Sequence, residues 1–123
     1  MKIIIDTPIF LWAISATTKL KQKQLQALQT LSNTIYVSSI SITELMIKSS
    51  IGKLDVNFDP ISIAKKSGFE LLGFSAKDAM ALKTLPFHHK DPFDRMLISQ
   101  AINRNYKIMT ADKKFMRYNC KLF

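Results

Sequence analysis

Several residue types that mark common protein classes are scarce in this chain. Its 123 residues include one cysteine, Cys120, and three isolated glycines. A lone cysteine cannot form an internal disulfide, and isolated glycines do not build a phosphate-binding loop or a dinucleotide fingerprint. No apolar run approaches the roughly 20 residues that a bilayer crossing requires, and MKIII meets Asp6 too soon to form a signal-peptide core. We therefore expect a cytoplasmic domain without a membrane span, and neither a P-loop enzyme nor a disulfide scaffold.

Acidic residues are also scarce. The chain has nine Asp and Glu against 18 Lys and Arg, which gives a formal net charge of +9 and an isoelectric point near 9.8. A field of this sign attracts polyanions, nucleic acid first and an anionic membrane surface second. An acidic partner protein, or a basic surface with no dedicated partner, would account for the same charge.

The pattern of apolar residues predicts one domain over residues 1–123. KIII is a short apolar run rich in β-branched residues, as expected for a strand buried on both faces. Helix starts are indicated by capping residues with a following proline or glutamate, at Thr7-Pro8, Ser41-x-x-Glu44 and Asp91-Pro92. Strands are predicted at 2–5, 34–38, 69–74, 106–110 and 120–123, with helices between them. This alternation predicts an α/β three-layer sandwich with a mainly parallel central sheet.

Four acids fall where strands end or helices begin, namely Asp6, Glu44, Asp94 and Asp112. In a parallel sheet these positions converge on the edge formed by the carboxyl ends of the strands, where open α/β sheets bind ligands. Each acid also has an ordinary structural use near a helix start, where it contributes roughly 0.3–1 kcal/mol through the helix dipole. For each acid taken singly, both interpretations stay open.

Taken together, the four acids favour a metal site. Two carboxylates about 6 Å apart repel by roughly 3 kcal/mol at an effective dielectric of about 20, so a cluster of them needs protons or a cation. Mg²⁺ and Mn²⁺ suit a site built from carboxylates and water. In a basic protein that attracts nucleic acid, such ions can activate water for phosphodiester hydrolysis. The residues alone therefore indicate a metal-dependent nuclease.

Over essentially its full length the chain resembles the PIN-domain ribonucleases of the VapC toxin type. The resemblance is carried, in this order, by IIIDTPIFLWAIS, VSSISITELMIKSSIGKL, HHKDPFDRMLISQAI and IMTADKKF. It implies a PIN-like α/β sandwich that hydrolyses RNA with Mg²⁺ or Mn²⁺ held by four catalytic acids. These match, in order, Asp6, Glu44, Asp94 and Asp112. The resemblance also implies a homodimer and a cognate antitoxin that inserts a basic side chain among the acids.

Three further residues near the acids are candidates for auxiliary roles. Asp91 is interpreted as the helix cap, with a secondary role behind the metal ligands. Thr110 precedes the last acid, and its hydroxyl either orients a metal-bound water or closes the turn. Arg95 is expected to pair with a carboxylate or with phosphate.

One residue departs from the family pattern. Related sequences often read DTH or DTN after the first strand, whereas here Pro8 follows Thr7. Proline can neither donate a hydrogen bond from its backbone nor bind a metal ion through its side chain. The departure leaves an alternative function open, a catalytically silent PIN-like module that binds RNA or a partner.

The remaining polar and aromatic candidates are given structural interpretations. His88 and His89 are expected in a solvated loop, because no cysteine or glutamate lies at a zinc-ligand spacing. Trp12 is expected in the core, and its partial exposure would indicate an antitoxin surface on the early helices. The best candidates for phosphate contacts are the cations Lys19, Lys21, Lys23, Lys113, Lys114 and Arg117.

Overall fold

A computed structural model describes all 123 residues, in which five strands alternate with α-helices. The strands are β1 (Lys2–Ile5), β2 (Thr34–Ser38), β3 (Glu70–Leu72), β4 (Lys107–Met109) and β5 (Lys121–Leu122). The helices are α1 (Thr7–Ser15), α2 (Gln22–Gln29), α3 (Ser39–Ser50), α4 (Pro60–Lys66), α5 (Ala76–Met80) and α6 (Pro92–Arg104). Short 3₁₀ turns span Thr17–Lys19, Ala81–Thr84 and Lys113–Arg117. None of the helices is long and apolar enough to cross a membrane.

All strand pairs are parallel, in the order β3-β2-β1-β4-β5. The chain winds outward from β1 through β2 to β3, and then returns to the other side of β1 for β4 and β5. Because the direction of winding changes between β1 and β4, a crevice opens there at the carboxyl ends of the strands. Asp6 follows β1 directly and therefore lies at the centre of this edge.

The first strand shows why the fold has three layers. Ile3 and Ile5 pack in one apolar cluster with Phe10 of α1, whereas Ile4 packs in a second cluster with Leu97 of α6. Successive side chains of a strand point to opposite faces, so an unbroken apolar strand needs cover on both sides. The predicted α/β three-layer sandwich with a parallel central sheet is confirmed.

The start of α1 differs from the sequence prediction. Asp6, rather than Thr7, is the cap, because its carboxylate accepts a hydrogen bond from the Ile9 amide at 3.0 Å. Thr7 is the first helical residue and Pro8 the second. The Thr7 side chain is thereby released from capping and points towards α3.

The start of α3 also differs. The helix begins at Ser39, directly after β2, and the Ser38 hydroxyl caps it by accepting from the Ile40 amide at 3.1 Å. The predicted capping box of Ser41 and Glu44 is therefore wrong. Glu44 lies in the second turn, where no free backbone amide needs an acceptor, so helix capping does not explain its burial.

Candidate metal centre

Asp6 is the most central acid of the carboxyl edge, with only 2% of its surface exposed. Burial raises its pKa to about 6, against hydrogen bonds from Thr110 and Ile9 that lower it. The negative charges of Asp112 and Glu44 raise it further. Asp6 therefore caps α1 and faces other acids at the same time, so the two interpretations of this residue are compatible.

Asp94 approaches from the first turn of α6. This helix starts as predicted, because the Asp91 side chain accepts a hydrogen bond from the Asp94 amide at 2.9 Å. Burial raises the pKa of the Asp94 carboxyl to about 7, and the neighbouring Asp91 charge adds to the shift. Asp6 and Glu44 act in the same direction, so these acids share one electrostatic field.

Glu44 reaches the same site with both oxygens engaged. The Thr7 hydroxyl donates to Oε1 at 2.7 Å, and the Lys48 ammonium lies 2.6 Å from Oε2. The Ser41 hydroxyl lies 3.0 Å from Thr7 Oγ1 and completes this buried polar contact between α1 and α3. The negative charge of Glu44 is thus offset by the Lys48 ammonium. The hydrogen bond between Glu44 and Lys48 raises the pKa of Lys48.

Asp112 completes the cluster after β4. Its Oδ1 accepts from the Lys114 amide at 2.9 Å and caps the 3₁₀ turn that follows. The Thr110 hydroxyl accepts a hydrogen bond from the Asp112 amide at 3.0 Å. It therefore closes the turn, which was one of the two roles considered for it. The neighbouring Thr110 hydroxyl also lowers the pKa of the Asp6 carboxyl, so Thr110 lies near the acids that follow both β1 and β4.

The sequence prediction was wrong for His89, which is 8% exposed rather than solvated. Its ring Nε2 lies 2.9 Å from Oδ2 of Asp94 and 3.1 Å from Oδ2 of Asp112. One ligand atom from each of these three residues lies within 4.8 Å of the others. His88 beside it is exposed and packs edge-on against Tyr118. The irregular segment that carries both histidines has no period from which their burial could be predicted.

Arg95 does not form the predicted ion pair with a carboxylate. Its guanidinium donates to the carbonyl oxygens of Pro86 at 2.8 Å and Leu85 at 3.2 Å, and to the Tyr118 hydroxyl at 3.3 Å. The same hydroxyl accepts a hydrogen bond from the His89 amide at 2.7 Å. Buried Arg95 therefore anchors the loop that carries His89 into the acid cluster.

The carboxylates present fit a small, hard cation. Asp6 is buried and Asp94 is half-buried, and the loss of water around each carboxyl raises its pKa. Mg²⁺ and Mn²⁺ prefer carboxylate oxygens and water as ligands. A divalent ion among Asp6, Asp94 and Asp112 would remove the repulsion that the cluster otherwise carries.

Two clefts open beside the cluster. The first has a volume of about 510 Å³ and is lined by Thr7, Pro8, Leu11, Trp12, Glu44, Leu45, Lys48, Lys53 and Leu54. Trp12 packs against the core and yet stays partly exposed at the wall of this cleft. The second cleft, about 240 Å³, joins Thr110 and Asp112 to the exposed side chains of Lys21 and Lys113.

We expect Lys48→Met to destabilise the metal-free protein near neutral pH and to tighten its binding of Mn²⁺. The substitution keeps the apolar stem but removes the one ammonium that offsets Glu44, so the acids repel more strongly and attract a cation more strongly. The midpoint of thermal unfolding, measured with EDTA and over a Mn²⁺ titration, reports both effects.

Lys53→Met is the matched control for this prediction. Lys53 lines the same cleft and forms no ion pair, so its replacement changes the net charge by the same amount without uncovering Glu44. Equal effects of the two substitutions would show that only the overall charge matters, and that the ion pair of Lys48 does not.

The fold and the site together define an α/β protein with an acidic centre at the carboxyl edge of a parallel sheet. The model of the PIN domain family matches residues 3–120, and the chain therefore belongs to the PIN domain family. A search of curated protein sequences finds no match.

Solved structures share the fold over the whole chain. A chain of the crystal structure of VapBC2 from Rickettsia felis, bound to a DNA fragment of its promoter, is 25% identical, with a TM-score of 0.77 and coverage of 100% of this chain and 98% of that one. DNA-bound VapBC from Salmonella typhimurium is 18% identical, with a TM-score of 0.72 and coverage of 100% and 97%. FitAcB from Neisseria gonorrhoeae is 14% identical, with a TM-score of 0.64 and coverage of 98% and 96%. The predicted resemblance to VapC-type PIN proteins is confirmed by these similarities.

Proposed function

We propose that this protein is a Mg²⁺- or Mn²⁺-dependent endoribonuclease and the toxin of a toxin–antitoxin pair. The observation that carries the proposal is the cluster of Asp94, Asp112 and His89, whose ligand atoms lie within 4.8 Å of one another, beside Asp6 at the end of β1. The charges of the neighbouring acids contribute to the raised pKa values of Asp6 and Asp94. In this proposal Asp6, Asp94 and Asp112 bind the metal directly. Glu44, the second catalytic acid of the family pattern, lies beside them with Lys48 as its partner.

A bound divalent ion supplies an activated water and stabilises the charge that develops on the phosphate during hydrolysis. The chain's own residues prepare the site for it. Thr110 closes the turn that carries Asp112, and Asp91 fixes the first turn of α6 from which Asp94 projects. Fixed ligands matter because Mg²⁺ demands near-octahedral geometry.

The exposed cations support nucleic acid as the substrate. Lys21 and Lys113 lie in the cleft that begins at Asp112, so a phosphate backbone can run from the acids along a basic wall. Lys114 and Arg117 are exposed on the adjoining 3₁₀ turn. The net charge of +9 strengthens this attraction, which is expected to weaken steeply as salt is added.

The other cleft supports an antitoxin as the partner. Its apolar residues Pro8, Leu11, Trp12 and Leu54 lead directly to Glu44. A partner segment could therefore place apolar side chains on α1 and a cation among the acids. Solved structures with this fold include two of VapBC bound to DNA and a toxin–antitoxin complex from Klebsiella pneumoniae, which favours an antitoxin partner here. A homodimer is part of the proposal because the resemblance to VapC-type proteins implies it.

The proposal is tested by cleavage of a labelled panel of single-stranded RNAs with Mg²⁺ or Mn²⁺. We expect products that disappear when EDTA is added. We also expect Asp6→Asn to cut at least about 100-fold more slowly, as when one charge that stabilises a transition state is lost. Asparagine still caps a helix, so α1 survives the substitution.

Asp59→Asn is the matched control, because Asp59 caps α4 in the same manner but lies outside the acid cluster. It should cut at the wild-type rate. Cleavage that persists in EDTA would rule out the metal mechanism. RNA binding without products in any metal would favour the silent binding module instead.

A further inference from the structure

At the acid cluster, a backbone amide determines which ring nitrogen of His89 carries the proton. His89 Nδ1 accepts a hydrogen bond from the Asp91 amide at 3.2 Å. A backbone amide can only donate, so Nδ1 presents its lone pair to it and the ring proton is on Nε2. The Nε2–H group then points between Oδ2 of Asp94 and Oδ2 of Asp112, at 2.9 Å and 3.1 Å.

This tautomer conflicts with direct metal binding. A metal ion at Nε2 would need a lone pair on that nitrogen and the proton on Nδ1, where it would face the Asp91 N–H donor. Carboxylate oxygens have no such conflict, because each has two lone pairs and can accept from Nε2–H while binding a cation with the other.

The loop around His89 is built to keep this orientation. The Tyr118 hydroxyl accepts from the His89 amide at 2.7 Å, and Phe115 packs edge-on against the imidazole ring. Arg95 donates to the same hydroxyl and to two carbonyl oxygens of the loop. Contacts therefore hold the backbone amide of His89, one face of its ring and its Nδ1 atom. The ring has little freedom to rotate by 180° and exchange its two nitrogens.

We propose that His89 is a positioning residue that aims the carboxylates of Asp94 and Asp112 at the metal through Nε2–H, and is not itself a metal ligand. The inference rests on the proposed metal-dependent nuclease and deepens it. The two acids come from α6 and from the turn after β4, and no other side chain hydrogen bonds to both of them. His89 sets their separation before the metal arrives.

Nitrogen-15 NMR of the metal-free His88→Gln variant is the first test. The chain has only two histidines, so every imidazole signal of this variant comes from His89. We expect the pattern of a ring protonated on Nε2, with Nδ1 as the acceptor. A ring protonated on Nδ1 alone would overturn the proposal.

Binding of Mn²⁺ is the second test. His89→Ala should weaken it by about 10- to 100-fold, the usual effect of removing a group that orients a metal ligand. His89→Gln, whose amide can donate from a similar place, should restore most of the affinity, and His88→Gln should leave it unchanged. Wild-type affinity in His89→Ala would overturn the role of His89.

Electron spin-echo modulation of the bound Mn²⁺ separates positioning from ligation. We expect no coupling to a directly coordinated imidazole nitrogen in the wild-type protein, and such a coupling would make His89 a ligand. If the wild-type protein bound no Mn²⁺ at all, the proposed nuclease mechanism would fail, whereas the tautomer measurement would still decide whether His89 donates from Nε2 to Asp94 and Asp112.

Discussion

Asp94→Asn is expected to abolish RNA cleavage and, in the absence of metal, to make the folded protein more stable at pH 8. The first effect follows because the substitution removes a proposed metal ligand, with a loss of at least about 100-fold. The second follows because the wild-type protein must ionise a half-buried acid beside other acids at this pH, whereas asparagine stays neutral. A variant that is inactive and yet more stable cannot owe its inactivity to unfolding.

The pH dependence of this gain has a definite sign. In the folded protein the pKa of Asp94 is about 7, against an ordinary value of 3.8 in the unfolded chain. Between these values the folded protein binds a proton that the unfolded chain releases, so the stability of the wild type falls as pH rises towards 7. The advantage of Asp94→Asn should therefore be largest at pH 8 and should vanish below about pH 4.

Thermal unfolding in EDTA between pH 4 and pH 8 measures this gain. We expect about 1–3 kcal/mol at pH 8, which corresponds to a rise of several degrees in the unfolding midpoint. Adding Mn²⁺ should stabilise the wild type much more than the variant. Cleavage at the wild-type rate by Asp94→Asn would remove this residue from the mechanism, and an unchanged pH profile would show that the pKa of Asp94 is not raised in the folded protein.

Among the substitutions considered, Arg104→Met is expected to lower the free energy of unfolding the most. Arg104 lies away from the acid cluster. The Asp78 carboxylate is fully buried at the start of α5, and the Arg104 guanidinium donates to it from the end of α6 at 3.1 Å and 3.0 Å. Asn103 donates at 2.7 Å, and Asp78 closes a capping box with Ser75. Burial raises the pKa of Asp78, but these hydrogen bonds together hold it well below its ordinary range.

Removing the arginine leaves a buried carboxylate without its counter-charge. Breaking such a pair typically costs about 3–5 kcal/mol, and we expect roughly 2–4 kcal/mol here because Arg104 is partly exposed. The unfolding midpoint should fall by roughly 10 °C in a domain of this size. Because the folded pKa of Asp78 is depressed, the contribution of the pair is present above about pH 4 and is lost as pH falls below it.

Arg117→Met is the control for Arg104→Met, since Arg117 is exposed and forms no ion pair. A further variant that combines Asp78→Leu with Arg104→Met should recover part of the loss, because no charge is then left buried. A midpoint for Arg104→Met within a degree of the control would show that Asp78 is neutralised in another way.

Much of the fold could be predicted because local signals and the global arrangement agree. The apolar run KIII requires cover on both faces, and the structure places Ile3 and Ile4 in different apolar layers. Asp91-Pro92 predicts a helix start by chemistry that acts within three residues, and the cap forms as expected. The helix starts at Thr7 and Ser41 were mispredicted because a neighbouring residue, Asp6 or Ser38, competes for the same role.

The sequence by itself determined the parallel sheet and the edge on which Asp6, Glu44, Asp94 and Asp112 gather, because strand ends and helix starts are set by short-range patterns. Only the tertiary structure decided what each side chain does there. It pairs Glu44 with Lys48, joins the Arg95 guanidinium to loop carbonyls rather than to a carboxylate, and brings His89 against Asp112, 23 residues along the chain. Such contacts depend on how the packed helices, strands and loops are placed in space. The periodicity of the sequence does not encode the distances between side chains on different elements.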